Sequence, residues 1–457
     1  MGKKIFAAVF VALSIVACNK EKFGLGDSVY VTSLPAGSCT VFDSSSLAFS
    51  YKIDGLSSQQ SLDFFVGNSF FNQNWVEAPS STTARDGLGP LYNAKSCAGC
   101  HFRDGRGMPT LNDGLLIRLG VFNIYGNYGP EPIYGGQFQD KAISTAQPEG
   151  TVTIAYTEIA GTYPDGTPYS LRVPTYSLSN LNYGAIDPGV MISPRVGPQM
   201  IGLGLLERVP EYMILLNADE NDSDGDGISG RPNYVFDPVA NTELIGRFGW
   251  KANTASIAAQ VAGAFNGDLG IKTHIFPNEN QTAAQSVLNN LPDGGVIEIS
   301  EDDFNKVVLY SSSLGVPNRR YLSNPAVQKG EKLFTEIGCA KCHNVSFKTG
   351  NDGDISGLKN VPIRPYTDLL LHDMGPDLAD NRPDGLATGT EWKTPPLWGI
   401  GLIETVNGHT FFLHDGRARN IEEAILWHGG EAEVIKDRFK ALTAEERSWM
   451  LAFLHSL

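Results

Sequence analysis

Val327–Ile337 reads as a helix, and Ala444–Leu457 as an amphipathic closing helix with Trp449, Leu451 and Leu454 as its apolar positions. Two further helical stretches start behind N-capping residues, Ser256 before Ile257–Val261 and Asn420 before Ile421–Ile425. Ser300-Glu301-Asp302-Asp303 has the acidic start of a short helix that must end before Pro317. The period changes between these regions. Thr151–Tyr156, Thr162–Leu171 and Val173–Leu178 alternate around a Pro-Asp-Gly turn, which predicts strands and hairpins. At the start of the chain Lys3 and Lys4 precede an apolar run, Ile5–Ala17. That run suits a secretory signal and is too short to span a bilayer.

The sequence has 457 residues, of which 42% are hydrophobic, so it can bury sizeable cores in two or three domains. Lys and Arg number 35 against 50 Asp and Glu, a net charge of −15, and no basic cluster occurs. Nucleic-acid binding is excluded on that ground, because phosphate recognition rests on grouped cations. Glycine is abundant at 50 residues, which predicts a body rich in turns. Six cysteines are too few for a disulfide scaffold, so their spacing matters more than their number.

Ile15-Val16-Ala17-Cys18 resembles a bacterial lipobox, which implies cleavage before Cys18, lipid attachment to it, and a mature protein held at the periplasmic face of a membrane. Four other cysteines fall in two copies of one pattern, Cys97-Ala98-Gly99-Cys100-His101 and Cys339-Ala340-Lys341-Cys342-His343. Chance would supply roughly 0.001 such motifs in a chain of this composition. One helical turn places two thiols against the two vinyl groups of a porphyrin, and the adjacent histidine lies under the iron, so the spacing predicts two covalently bound haem c groups. A dithiol or zinc site requires no histidine immediately after the second cysteine. Cys39 is left over and reads as a buried, inert thiol.

The chain also repeats itself. Arg195–Glu207 aligns with Lys393–Glu404, matching Pro198 to Pro395, Gly202 to Gly399 and Glu207 to Glu404. Phe248-Gly249-Trp250 aligns with Phe412-Leu413-His414, and Ile257 with Ile421. Duplication of one cytochrome c domain is the simplest account. The expected fold is therefore mainly α, with two cytochrome c-like domains, the first carrying a β-rich insertion. The expected divisions are a lipoprotein signal at 1–18, an extension at 19–84, a first domain at 85–274, a connector at 275–324 and a second domain at 325–457. The first domain holds the insertion at about 130–190 and an acidic loop at 219–233. In that loop Asp222, Asp224, Asp226 and Gly227 match the start of a calcium loop, although Asn233 stands where the bidentate glutamate belongs.

The two motifs, Phe248-Gly249-Trp250 and the Phe412–Arg417 segment followed by Glu422–Ile425 and His428 resemble the bacterial dihaem cytochrome c peroxidase superfamily, which includes the haem enzyme that matures methylamine dehydrogenase. The closer likeness is to the dihaem oxidoreductase family, carried by Cys100–Gly107, Ser193–Glu207, Asp224–Arg231 and Leu371–Pro376, over roughly residues 85–457. The resemblance implies a peroxidase-type oxidoreductase that reduces peroxide at the first haem with electrons passed through the second. It puts the second haem's distal ligand fourteen residues after the His-Asp-Gly histidine, at His428, with Met374, His372 and His414 as rivals. The equivalent first-copy residue is Ala264, which cannot ligate, so the first haem is the candidate open site; Met108 and Met200 are its remaining candidate ligands. The resemblance also implies an inter-haem Trp250 and a distal-pocket Gln260. Asp268 is the candidate acid–base group, displaced by two residues from the family's carboxylate, and Glu207 is the reserve. Arg106 is a candidate propionate partner. The expected electron donor is a small cytochrome, a cupredoxin or a quinone-linked carrier. The competing functions are oxidation of an organic or protein substrate, and a non-enzymatic electron-transfer or iron-acquisition lipoprotein.

Overall fold

Glycine and proline break the helical stretches into short pieces, and the residues between them run as loops around a large internal space. The computed structural model describes residues 33–110, 114–344 and 346–457. The apolar leader and Cys18 lie outside them. The expected mainly α fold of two cytochrome c-like domains does not form. The chain is mixed, 29% helix and 19% strand with many strands of two or three residues, and from Ser33 onward it is one compact unit. The physical reason is that the helices are separated by long connecting loops that share the lining of the interior space with them, while the alternating segments pair as sheet.

Among the helices that position the site are α1 (Ser58–Asn72), α2 (Ile257–Ala264), α3 (Glu301–Ser312), α4 (Pro325–Ile337), α5 (Ile421–Leu426) and α6 (Ala444–Ser456). Their starts are chemically specified. Ser57 and Thr443 form capping boxes with Gln60 and Glu446, and Ser256, Ser300 and Asn420 each accept a main-chain N–H in the first turn. α1 packs on α3 and α4 packs on α6. Both crossings depend on a glycine: a β-carbon on Gly67 would strike the main chain of Lys306, and one on Gly330 that of Trp449. Each cysteine motif thus lies beside a packed helix pair.

Strand β1 (Leu115–Phe122) runs antiparallel to β2 (Gln137–Phe138) and to β5 (Met191–Val196), with Ile117 opposite both Phe138 and Pro194. Leu115, Ile117 and Leu119 point inward and pack with Trp250 and Trp392. Between β2 and β5, β3 (Thr151–Thr162) and β4 (Pro168–Ser179) form one long hairpin in which Thr162 pairs with Pro168. The expected break between two downstream strands is absent, because Arg172 continues the ladder opposite Glu158. The hairpin reaches the C-terminal third of the chain: Tyr163 Oη donates to Glu422 Oε1 at 2.7 Å, and Arg447 pairs with Asp165 at 2.7 Å.

The repeated segments meet across a pseudo-two-fold relation. Val196 N–H donates to His414 O at 2.7 Å, and its counterpart Lys393 N–H donates to Trp250 O at 2.9 Å. Gly202 is pressed against Trp398 and Gly399 against Ile201, the equivalent neighbours. Phe248 N–H bonds Thr254 O at 2.9 Å, as Phe412 N–H bonds Ala418 O at 2.8 Å.

Candidate functional site

Each cysteine pair occupies one tight turn, Cys97–Gly99 and Cys339–Lys341, and each following histidine donates its N–H to the first cysteine's carbonyl, at 2.9 Å for His101 and 3.0 Å for His343. The side chains then do the same thing twice. His101 Nδ1 lies 2.8 Å from Pro198 O and His343 Nδ1 lies 2.9 Å from Tyr366 O. A carbonyl can only accept, so Nδ1 carries the proton and Nε2 keeps its lone pair, the arrangement of a metal-ligating imidazole. Burial holds both imidazoles below their ordinary value, His343 at about 4, so they stay neutral. Phe71 of α1 packs 6.2 Å from His101, and Phe334 of α4 packs 6.1 Å from His343.

Both motifs open on one continuous cavity of about 2480 Å³, part of it open to solvent. Cys97, Cys339 and Cys342 line it. Burial pushes the thiols of Cys97, Cys100 and Cys339 up to about 12, so they stand as neutral thiols. Neutral thiols, histidines with free Nε2 atoms and a mainly apolar space fit two haems. Those residues would hold them through thioether bonds and His101 and His343.

The sequence pattern of the family described as di-haem oxidoreductase, putative peroxidase, matches residues 30–115 and 136–457. The chain belongs to this family. Haem cofactors and oxidoreductase chemistry come with that membership. Among solved structures the dihaem oxidoreductase is similar to hydrazine synthase of Kuenenia stuttgartiensis pressurised with xenon, at 13% identity, 89% coverage of this chain, 94% of that one and a TM-score of 0.32. At that score no residue is placed by the likeness. No curated protein matches.

In this dihaem oxidoreductase, Gln260 and Ala264 stand one turn apart on α2 and both line the cavity, as does His428 just beyond α5. His428 Nδ1 is held by Ala424 O at 2.8 Å, leaving Nε2 free, and its charge would act on His343. His372 is differently placed. Its Nε2 meets Asp368 Oδ2 and its Nδ1 meets Glu431 Oε2, both at 2.8 Å. Burial would lower its pKa, but the Asp368 carboxylate outweighs this and holds it well above the ordinary value. Both ring nitrogens are thus engaged as an imidazolium. Met200 and Met374 line the cavity, and Met108 does not. Trp250 Nε1 donates to Val196 O at 2.7 Å, with the Arg106 guanidinium 5.1 Å over its ring. Arg106 faces the cavity, yet its Nε donates to Phe411 O at 2.8 Å and its Nη2 to Leu413 O. His414 also lines the cavity and stacks on Trp392 at 3.7 Å between centroids.

Other candidates lie outside the lining. Glu207 Oε1 accepts the Ile257 N–H at 2.7 Å and so caps α2. Asp268, past the end of α2, is held by Gln137 Nε2 at 2.8 Å; burial raises its pKa, opposed by Arg118. It also raises the pKa of the Cys97 and Cys100 thiols, so it sits beside the first motif. Asp222, Asp224 and Asp226 bring ligand atoms within 4.8 Å of one another. Their carboxylates also bond their own loop: Asp222 accepts from Gly227 N at 3.0 Å, and Asp226 pairs with Lys341 at 2.5 Å. The residues missed from sequence are Phe71, Lys393 and Arg118; only the Ser57-x-x-Gln60 capping box signalled the helix that carries Phe71.

Proposed function

We propose that this dihaem oxidoreductase reduces peroxide at the Cys97/Cys100/His101 haem with electrons delivered through the Cys339/Cys342/His343 haem. The observation that carries the reading is the asymmetry at equivalent positions of one cavity: Ala264 supplies no ligand where His428 supplies a free Nε2. A haem bound at each motif supplies an iron that can take an exogenous ligand at the first and an electron store at the second. The protein's own groups do the rest. Gln260 offers its amide to an incoming peroxide oxygen. Asp268, whose burial favours the protonated form, supplies and takes back a proton on Oδ2, the oxygen not bonded to Gln137. Trp250, fixed by Val196 O, stands in the shared cavity as the aromatic bridge. The balance is one H₂O₂, two protons and two electrons to two H₂O. The electrons would come from a small cytochrome, a cupredoxin or a quinone-linked donor. The lipobox supports a periplasmic, lipid-anchored location, and the acidic loop a bound calcium ion.

Electron paramagnetic resonance (EPR) of the oxidised protein tests the assignment. Wild type should show one high-spin and one low-spin haem, and His428→Ala should lose the low-spin signal. Two low-spin irons inert to peroxide would end the peroxidase reading.

A further inference from the structure

One cation facing the cavity has no bonded partner among the described residues. Lys393 is only 7% exposed and lines the cavity. Among the described residues no hydrogen bond or ion pair reaches its Nζ, although its main-chain N–H is committed to Trp250 O at 2.9 Å. Its neighbours are treated differently. Lys251 is deeper still, fully buried, but its Nζ meets Asp380 Oδ1 at 2.8 Å and two carbonyls, those of Arg382 and Thr388. Arg106 is bonded to main-chain oxygens, and Lys436 at the cavity wall pairs with Glu433 at 2.8 Å. Asp368, the carboxylate whose field reaches Lys393, is already engaged by His372 Nε2 and by the Leu370 N–H at 2.9 Å. A buried ammonium with no bonded counter-ion is costly, and burial, only partly opposed by the Asp368 carboxylate, pulls this one down to about 8. A carboxylate entering the cavity would relieve that cost.

We infer that Lys393 Nζ binds a carboxylate inside the cavity, a propionate of the second haem. This rests on the proposed reading that a haem occupies the Cys339/Cys342/His343 motif. The second haem is favoured because Lys393 pairs across a two-stranded sheet with Leu371, and the next residue, His372, has its Nδ1 3.7 Å from Cys342 Sγ. The pairing has two consequences. It neutralises a negative charge close to the second iron, which favours the reduced state. It also ties that haem's edge to Trp250, since the residue holding the propionate bonds Trp250 O through its main chain. Lys393 is therefore a positioning and tuning residue.

Optical redox titration of the holoprotein tests this with Lys393→Met and Lys393→Arg. The Met variant should lower the midpoint potential of the low-spin haem and leave that of the high-spin haem in place. The Arg variant, which keeps the charge, should stay near wild type. An unmoved low-spin potential in the Met variant overturns the inference, as does an equal fall in both variants, which marks a packing role. A shift confined to the high-spin haem overturns the assignment to the second haem. These outcomes need coloured protein but no turnover, so they are separate from a failure of the peroxidase reading; colourless protein would sink both.

Discussion

Adding one methyl group at Gly197 should disturb the first haem and leave the second alone. Gly197 sits where the chain passes His101, the proposed proximal ligand of the first haem: a β-carbon there would lie 2.9 Å from His101 Cε1, 3.2 Å from His101 Nδ1 and 3.2 Å from Cys100 O. The backbone of Gly197 is not in the left-handed region, so alanine meets only a lack of space. None of the three neighbours can give way easily. The imidazole is tied to Pro198 O at 2.8 Å, and Gly197 itself bonds Gly114 O and accepts from Gly107 N. Overpacking at such a site costs about 1–3 kcal/mol. For 457 residues the unfolding entropy is of order 1 kcal/mol per degree, so Tm should fall by about 1–3 °C. The ring must also tilt or loosen its Pro198 bond, which alters the first iron's ligand field. Gly197→Ala should therefore shift the high-spin EPR signal and leave the low-spin signal unchanged. Gly263→Ala is the control: it lies on α2 with open space around it, and alanine there should stabilise by up to about 1 kcal/mol. An unshifted high-spin signal and an unchanged Tm in Gly197→Ala would refute the idea that Gly197 and Pro198 set the pose of His101.

Two further outcomes are expected. Trp250→Phe removes the Nε1–H bond to Val196 O and should cost about 1 kcal/mol in urea unfolding; stopped-flow oxidation of the second haem by peroxide should slow, and an unchanged rate would take Trp250 off the electron path. His414 is held near a pKa of about 4 by burial, with Asp415 opposing, against about 6.5 when unfolded. The unfolded chain therefore binds the extra proton between these values. The His414 contribution is complete above about pH 6.5 and is lost as pH falls towards 4, by about 3 kcal/mol. Unfolding at pH 7 and 4.5 should show this loss, and His414→Gln should flatten it.

The chemistry that depends on local spacing was legible in the sequence. Two thiols and a histidine within five residues need only one turn to face the same way, so the candidate attachment points are visible without tertiary structure. The same holds for the caps at Ser256, Ser300 and Asn420, whose side chains bond the next turn of main chain. The internal repeat was also readable, down to the pairing of Ala264 with His428. The fold class was not. Local periodicity reports several of the helices but not α1, and it cannot say that the segments between helices share the lining of an interior space, nor that α1 and α3 close around the first motif. Distant partners were equally invisible. His372, a rival ligand on sequence, has both nitrogens engaged by Asp368 and Glu431, and Glu207, the reserve acid–base group, accepts an N–H at the start of α2. Lys393 carried no signal at all, because an unpaired charge is defined by what fails to surround it, and only packing decides that.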